Sequence, residues 1–184
     1  GSGIDMITTL FARTCATIGQ QVFCRREYHS NIKGRHSYCD VSVSPRTVTS
    51  HAECPQMLVT FEPESLCRHL ESLAAPGYLI CSADDRDVNL DSLGYLDSRV
   101  LQERLQQLEQ AGLSPTAGGL MELAQRRGIR TFAIPYKQLL SRLAAEQGVS
   151  RQHVAAVVTP LAVAGSTSWL GVSREFLELA LETR

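Results

Sequence analysis

The sequence predicts an α/β protein in which a mostly parallel sheet lies between layers of helices. Two observations predict it. Short strand-like runs, Gln56–Phe61, Tyr78–Ser82 and Arg130–Tyr136, alternate along the chain with longer stretches of helical periodicity, the pattern of strands joined by helical crossovers. The helical stretches also carry start and stop signals: Pro63-Glu64 opens one, and Gly19 and Gly148 close two others.

The elements follow in order. Ile4, Ile7, Leu10, Phe11, Cys15 and Ile18 recur at helical spacing, so a helix is expected up to Gly19. Gln21–Glu27 and Cys39–Ser44 read as strands, with Val41 and Val43 alternating with polar neighbours as on a half-wet surface. Gln56–Phe61 reads as a buried strand, followed by a helix from Pro63 through Leu73 with Glu64 in its first turn. A turn at Pro76-Gly77 leads into the buried strand Tyr78–Ser82. Asp84–Gly94 reads as a polar loop and Asp97–Ala111 as an amphipathic helix with Leu101, Leu105 and Leu108 on one face. Ala117-Gly118-Gly119 is expected to bend the chain ahead of a helix that ends at Gly128. A strand at Arg130–Tyr136, a helix at Gln138–Gln147, a helical block from Arg151 to Leu170 and a last helix, Arg174–Glu182, capped by Ser173, complete the chain. No internal repeat, low-complexity tract or linker interrupts it. The expected architecture is a single domain over residues 1–184, a three-layer α/β fold with a mostly parallel, Rossmann-like sheet and helices on both faces.

Composition excludes several classes of function. Eighteen Lys and Arg against 19 Asp and Glu give a net charge of −1, so nothing favours a nucleic acid partner. The six cysteines form no CxxC pair, and neither a zinc site nor an iron–sulfur site is signalled. Cys15, Cys24, Cys39 and Cys81 lie among apolar residues and read as buried, reduced thiols of a cytoplasmic protein. Position 1 is Gly with no charged region behind it, so no signal peptide is expected. The apolar run Val154–Leu170 is broken by Thr159, Pro160 and Gly165-Ser166-Thr167-Ser168; it reads as a buried helix of small residues, with Trp169 as a packing or interface anchor, and no membrane span is expected.

The candidate functional segment is Tyr28-His29-Ser30-Asn31-Ile32-Lys33-Gly34-Arg35-His36-Ser37-Tyr38, a cationic and aromatic stretch held between two strands. With Arg25 and Arg26, its Lys33, Arg35 and His36 can meet an anion such as a coenzyme phosphate, or an acidic patch on a partner. The bland alternative is a solvated charged loop. No carboxylate is spaced to make His36 a general base, and Ser37 beside it lacks a nucleophile elbow; no catalytic residue and no metal ligand is expected. Gly1-Ser2-Gly3 ahead of a helix is a weak cofactor-binding candidate, because the sixth position is Met6 rather than Gly. Glu27, about 20 residues downstream, keeps an independent dinucleotide-binding module open as an alternative. Asp85-Arg86-Asp87-Val88-Asn89 imitates a calcium loop, but Leu90 and Leu96 stand where glycine and glutamate are needed, so calcium binding is rejected.

These segments carry a resemblance. Tyr28–Ser37 is similar to a Y-P-S-x-I-R-G-G-H-S signature, and Gly1-Ser2-Gly3-Ile4-Asp5-Met6 to a G-x-G-G-x-G loop, of the γ subunit or domain of 2-oxoacid:ferredoxin oxidoreductases. Cys39–Ser44, Met57–Leu73, Pro76–Ser82 and Ala162–Gly171 resemble successive segments of that family, and Asp85–Gly128 matches least. The departures are Ile4, Met6 and Arg35 in place of glycine, His29 in place of proline and Lys33 in place of arginine. The resemblance implies a helper domain, cut from a longer chain or lacking its first strand. It would pack on α and β partner subunits near the approach of coenzyme A, with Tyr28, Ile32, Lys33, Gly34, Arg35, His36 and Ser37 at an interface or an anion. Thiamine diphosphate, magnesium and 4Fe–4S clusters would belong to other domains of a complex that turns a 2-oxoacid into an acyl-coenzyme A and reduces ferredoxin. A non-catalytic interaction domain that has lost the contact loop is the remaining reading.

Overall fold

A computed structural model of the chain describes residues 2–27, 36–94, 96–135, 141 and 145, with the backbone alone for residues 2–6. The described residues fall into two compact units, one within residues 1–52 and one over Glu53–Leu139. The helices expected at Gln138–Gln147, Arg151–Leu170 and Arg174–Glu182 lie outside the described residues, save for Ser141 and Ala145.

In the first unit, helix α1 (Ser2–Thr17) packs against a hairpin of β1 (Gln21–Glu27) and β2 (Tyr38–Ser44). Ser2 and Gly3 therefore sit inside the first helical turn. The helix ends because Gly19 takes φ = 83°, letting its N–H reach the Ala16 carbonyl at 3.0 Å and the Gln20 N–H reach that of Cys15 at 3.0 Å. This pair of bonds satisfies two of the terminal carbonyls and turns the chain into β1. The strands pair antiparallel, from Gln21 opposite Ser44 to Glu27 opposite Tyr38. Only residues 28–37 separate β1 from β2, fewer than the dozen or so that a parallel crossover needs, so an antiparallel pairing is the available one.

In the second unit, β3 (Met57–Thr60), β4 (Gly77–Ser82) and β5 (Ile129–Ile134) form a parallel sheet in the order β3-β4-β5. Helix α2 (Pro63–His69) links β3 to β4, and α3 (Ser98–Gln110) and α4 (Ala117–Arg126) link β4 to β5. This is the parallel α/β arrangement expected from the alternation of runs. Leu66, Leu70, Leu79, Leu90, Leu108 and Leu120 are fully buried and knit the helices to the sheet face that carries Leu58, Leu79, Cys81 and Ile129.

Three local expectations are corrected. Ala117-Gly118-Gly119 is no bend but the first turn of α4, because Thr116 caps the helix by accepting the Gly119 N–H at 3.2 Å. Gly119 is there for close approach: a Cβ would collide with the Ser114 carbonyl. The polar loop Asp84–Gly94 contains a 3-10 turn, Leu90–Ser92, which drops Leu90 into the core. That burial is why an apolar residue stands where a calcium loop needs glycine. Finally, Cys24 is exposed and Cys39 only half-buried rather than buried, while Cys67, not singled out in the sequence, is fully buried with Cys81. Among the described residues no helix is long and apolar enough to cross a membrane.

Candidate functional site

Gly1, Tyr28, Ile32, Lys33, Gly34 and Arg35 lie outside the described residues. His36 and Ser37 are described, as are the two strands that flank the cationic segment. Register divides the hairpin into two faces. One carries Phe23, Arg25, Glu27, Tyr38, Asp40 and Ser42. Here Arg25 meets Glu27 at 3.3 Å and Asp40, its cross-strand partner, at 3.6 Å. The His36 ring stacks on Tyr38 with centroids 5.7 Å apart. Farther along, Ser42 Oγ lies 2.8 Å from His51 Nδ1, whose ring tilts against Phe23 at 4.8 Å. His51 Nε2 is buried with no hydrogen-bonding partner among the described residues.

These contacts redistribute the expected roles. Arg25 is committed to two carboxylates and is not a free cation for a ligand. Glu27, the acidic residue of the dinucleotide alternative, is its ion-pair partner, at the end of a hairpin strand rather than a strand of the parallel sheet. The opposite face carries Cys24, Cys39 and Val41. The Cys24 thiol is raised above its ordinary value by desolvation first, then by the Cys39 and Cys15 thiols, which places Cys15 of α1 beside this face. Thiols held protonated in this way are poor nucleophiles and poor metal ligands.

The second unit contains a shallow cleft that sequence reasoning missed. It opens at the carboxyl ends of β3 and β4, between Thr60, Glu62, Ser82, Asp85, Ala117 and Met121. The carboxyl end of a parallel sheet is where α/β folds commonly hold ligands. The side chains come from three separate stretches of the chain, so no local motif announces them. The Thr60 and Ser82 hydroxyls are already engaged. Thr60 Oγ1 donates to the Glu62 carbonyl at 3.1 Å and accepts the Glu62 N–H at 3.3 Å. Ser82 Oγ accepts the Asp84 N–H at 3.2 Å. The leading amides of α4 are spent inside the fold: Ala117 on Val88, Gly118 on Arg86, and Gly119 and Leu120 on Thr116. Cys81, on the cleft floor, is pushed up to about 11 by burial, against a smaller opposing effect of Arg86. The cleft thus offers a shaped surface with neither an activated nucleophile nor a phosphate cradle. Among the described residues, no group of three His, Cys, Asp or Glu side chains is placed to hold a metal ion.

Comparison with known proteins gives the arrangement its family. The family model for pyruvate ferredoxin/flavodoxin oxidoreductase matches residues 1–184. The chain is 25% identical to the 2-oxoacid:ferredoxin oxidoreductase subunit alpha of Saccharolobus solfataricus, over 96% of this chain and 28% of that subunit. It is 27% identical to the 2-oxoacid:ferredoxin oxidoreductase 1 subunit alpha of Aeropyrum pernix, over 100% of this chain and 29% of that one. The chain therefore spans less than a third of the length of the curated relatives it matches. Its fold is similar to that of the keto/oxoacid ferredoxin oxidoreductase γ subunit of Geobacter sulfurreducens, with a TM-score of 0.53 and 16% identity over 98% of this chain and 78% of the other. A match along the whole sequence, joined to a shared α/β fold, assigns the chain to the pyruvate ferredoxin/flavodoxin oxidoreductase family.

Proposed function

We propose that the chain is the accessory, γ-type part of a 2-oxoacid:ferredoxin oxidoreductase. The observation that carries this reading is the family match over residues 1–184 together with the small share, 28–29%, that the chain represents of its subunit alpha relatives. The assembled enzyme would convert a 2-oxoacid and coenzyme A to an acyl-coenzyme A and carbon dioxide, passing two electrons to ferredoxin. Thiamine diphosphate would supply the decarboxylation chemistry from a neighbouring domain or subunit.

The described residues do not fit an iron–sulfur cluster. A 4Fe–4S centre takes four thiolates, whereas among the described residues no three His, Cys, Asp or Glu side chains are grouped to hold a metal, and Cys67 and Cys81 are buried in the core. The contribution of this chain is shape and charge. Segment 28–37 supplies Lys33, Arg35 and His36 toward an anion, and we assign that anion to the coenzyme A phosphates. With Arg25 neutralised by Glu27 and Asp40, the loop's own cations carry the contact. Among the described residues nothing in the geometry favours an independent dinucleotide module.

The test uses the assembled enzyme. Lys33→Ala with Arg35→Ala is expected to raise the KM for coenzyme A several-fold while leaving kcat and subunit stoichiometry in place. An unchanged KM with intact assembly refutes the anion contact. Failure of the unmodified chain to co-purify with a thiamine-dependent partner refutes the accessory role itself.

A further inference from the structure

Where β1 meets segment 28–37, one guanidinium holds two carboxylates. Glu27, the last residue of β1, and Asp40, on the returning strand, lie 3.3 Å and 3.6 Å from Arg25. Register explains the convergence. Asp40 stands directly opposite Arg25, and Glu27 is two residues farther along the same face. The side chains of Arg25, Glu27 and Asp40 are 57%, 36% and 35% exposed, so the ion pairs add little to stability. Their larger effect is on the local field. Residues 25–40 hold four fixed cations, Arg25, Arg26, Lys33 and Arg35, against two carboxylates, Glu27 and Asp40, a surplus of two positive charges. Taking Arg25 away halves that surplus and leaves both carboxylates without their shared cation.

We propose that Arg25 is a positioning residue for the anion contact: by holding Glu27 and Asp40, it keeps this end of the hairpin attractive to coenzyme A phosphates that it does not itself touch. The inference rests on the anion-contact reading above and names a residue that sets its affinity. The range is short enough for the effect. At about 3.4 Å per strand residue, Arg25 stands about 7 Å from the end of β1, inside the screening length of about 8–10 Å at ordinary ionic strength. His36 stacks on Tyr38, which pairs with Glu27, so an anion drawn to His36 comes close to both carboxylates. Charges beside a contact, and not only those within it, change its affinity and its salt dependence.

The test uses the assembled enzyme and reads kcat and the KM values for coenzyme A and for the 2-oxoacid. Arg25→Gln is expected to raise the coenzyme A KM about two- to fivefold, with kcat and the 2-oxoacid KM unchanged, and the effect is expected to fade in high salt. Arg25→Lys keeps the charge and is expected to stay within about twofold of the unmodified enzyme. The deciding variant combines Arg25→Gln with Glu27→Gln and Asp40→Asn. It leaves three cations and no carboxylate over residues 25–40, and is expected to bring the coenzyme A KM back to the unmodified value or below it. A KM unmoved by Arg25→Gln overturns the proposal, as does Arg25→Lys as impaired as Arg25→Gln. A KM that stays high in the triple variant also overturns it, and makes Arg25 a strut of the hairpin alone. Lys33→Ala with Arg35→Ala separates this proposal from the reading beneath it. If that pair raises the coenzyme A KM and Arg25→Gln does not, the anion contact stands and the positioning role falls. If the pair leaves the KM in place, both fall.

Discussion

Removing the guanidinium of Arg104 gives a direct test of how the second unit is tied together. Arg104 is only 4% exposed, a buried cation on α3. Its Nε donates to the Cys67 carbonyl at 3.1 Å, and its Nη1 reaches Gln107 Oε1 at 3.0 Å and Glu71 Oε2 at 3.2 Å. The same carboxylate oxygen accepts from Arg127 of the α4 C-terminus at 3.2 Å. One side chain thus joins the chain just beyond α2 to α3 and α4. Arg104→Met keeps the apolar stem but strands the Cys67 carbonyl, at a cost of about 1–3 kcal/mol for an unsatisfied buried acceptor. The ion pair adds less, because Glu71 is 52% exposed and keeps Arg127. A half-solvated pair is worth below about 1 kcal/mol. The expected loss is about 2 kcal/mol, or a fall in Tm of about 4–8 °C for a chain of this length. Urea titration followed by far-UV circular dichroism measures it. Arg104→Lys should cost nearly as much, since an ammonium cannot span the carbonyl and the carboxylate as the planar fork does. Glu71→Gln should cost below about 1 kcal/mol. If Arg104→Met is as stable as the unmodified protein, or Glu71→Gln costs more than it does, the reasoning is refuted.

Further outcomes are expected. Cys67 and Cys81, both raised to about 11 by burial, stay neutral in the folded state after their unfolded counterparts have ionised. Their contribution to stability is complete below the ordinary thiol value and is lost as pH climbs toward 11. Urea midpoints should therefore drop across that window, and the drop should shrink in Cys81→Ala; a flat profile would contradict the assignment. At pH 8 a thiol reagent should modify Cys24 and Cys54 well before Cys67 or Cys81, as peptide mapping would reveal. Gly119→Ala should destabilise by about 1–3 kcal/mol through overpacking against Ser114, although alanine is normally the better helix former by about 1 kcal/mol. A thermal melt showing no loss would remove the close-approach explanation.

Where local chemistry decides structure, the sequence was legible. The bounds of β1 follow from the Gly19 stop and the alternating run behind it, and α2 begins at the proline that signals it. Errors arose where tertiary contacts override local preference. Gly118 and Gly119 read as a bend because glycine weakens helices, yet Ser114 leaves room for nothing larger at 119. Leu90 reads as part of a polar loop because its neighbours are Asp and Asn, but its side chain is fully buried in the core. Cys24 reads as a buried thiol from Val22 and Phe23 before it, but Arg25 and Arg26 follow it on a two-stranded hairpin with a wet side. Of the candidate site, residue types and charge were readable. The pairing of Arg25 with Asp40 was not, since it depends on strand register across the intervening segment. The cleft near Thr60 and Ser82 was invisible for the same reason: it exists only once separate strands lie side by side.

The strand order β3-β4-β5 follows the order of the chain without reversal. In doubly wound sheets a nucleotide settles where successive crossovers part to opposite sides, which requires the winding to change direction. Among the described residues these three strands wind one way only, so no gap that would admit an adenine or a pyrophosphate opens between them.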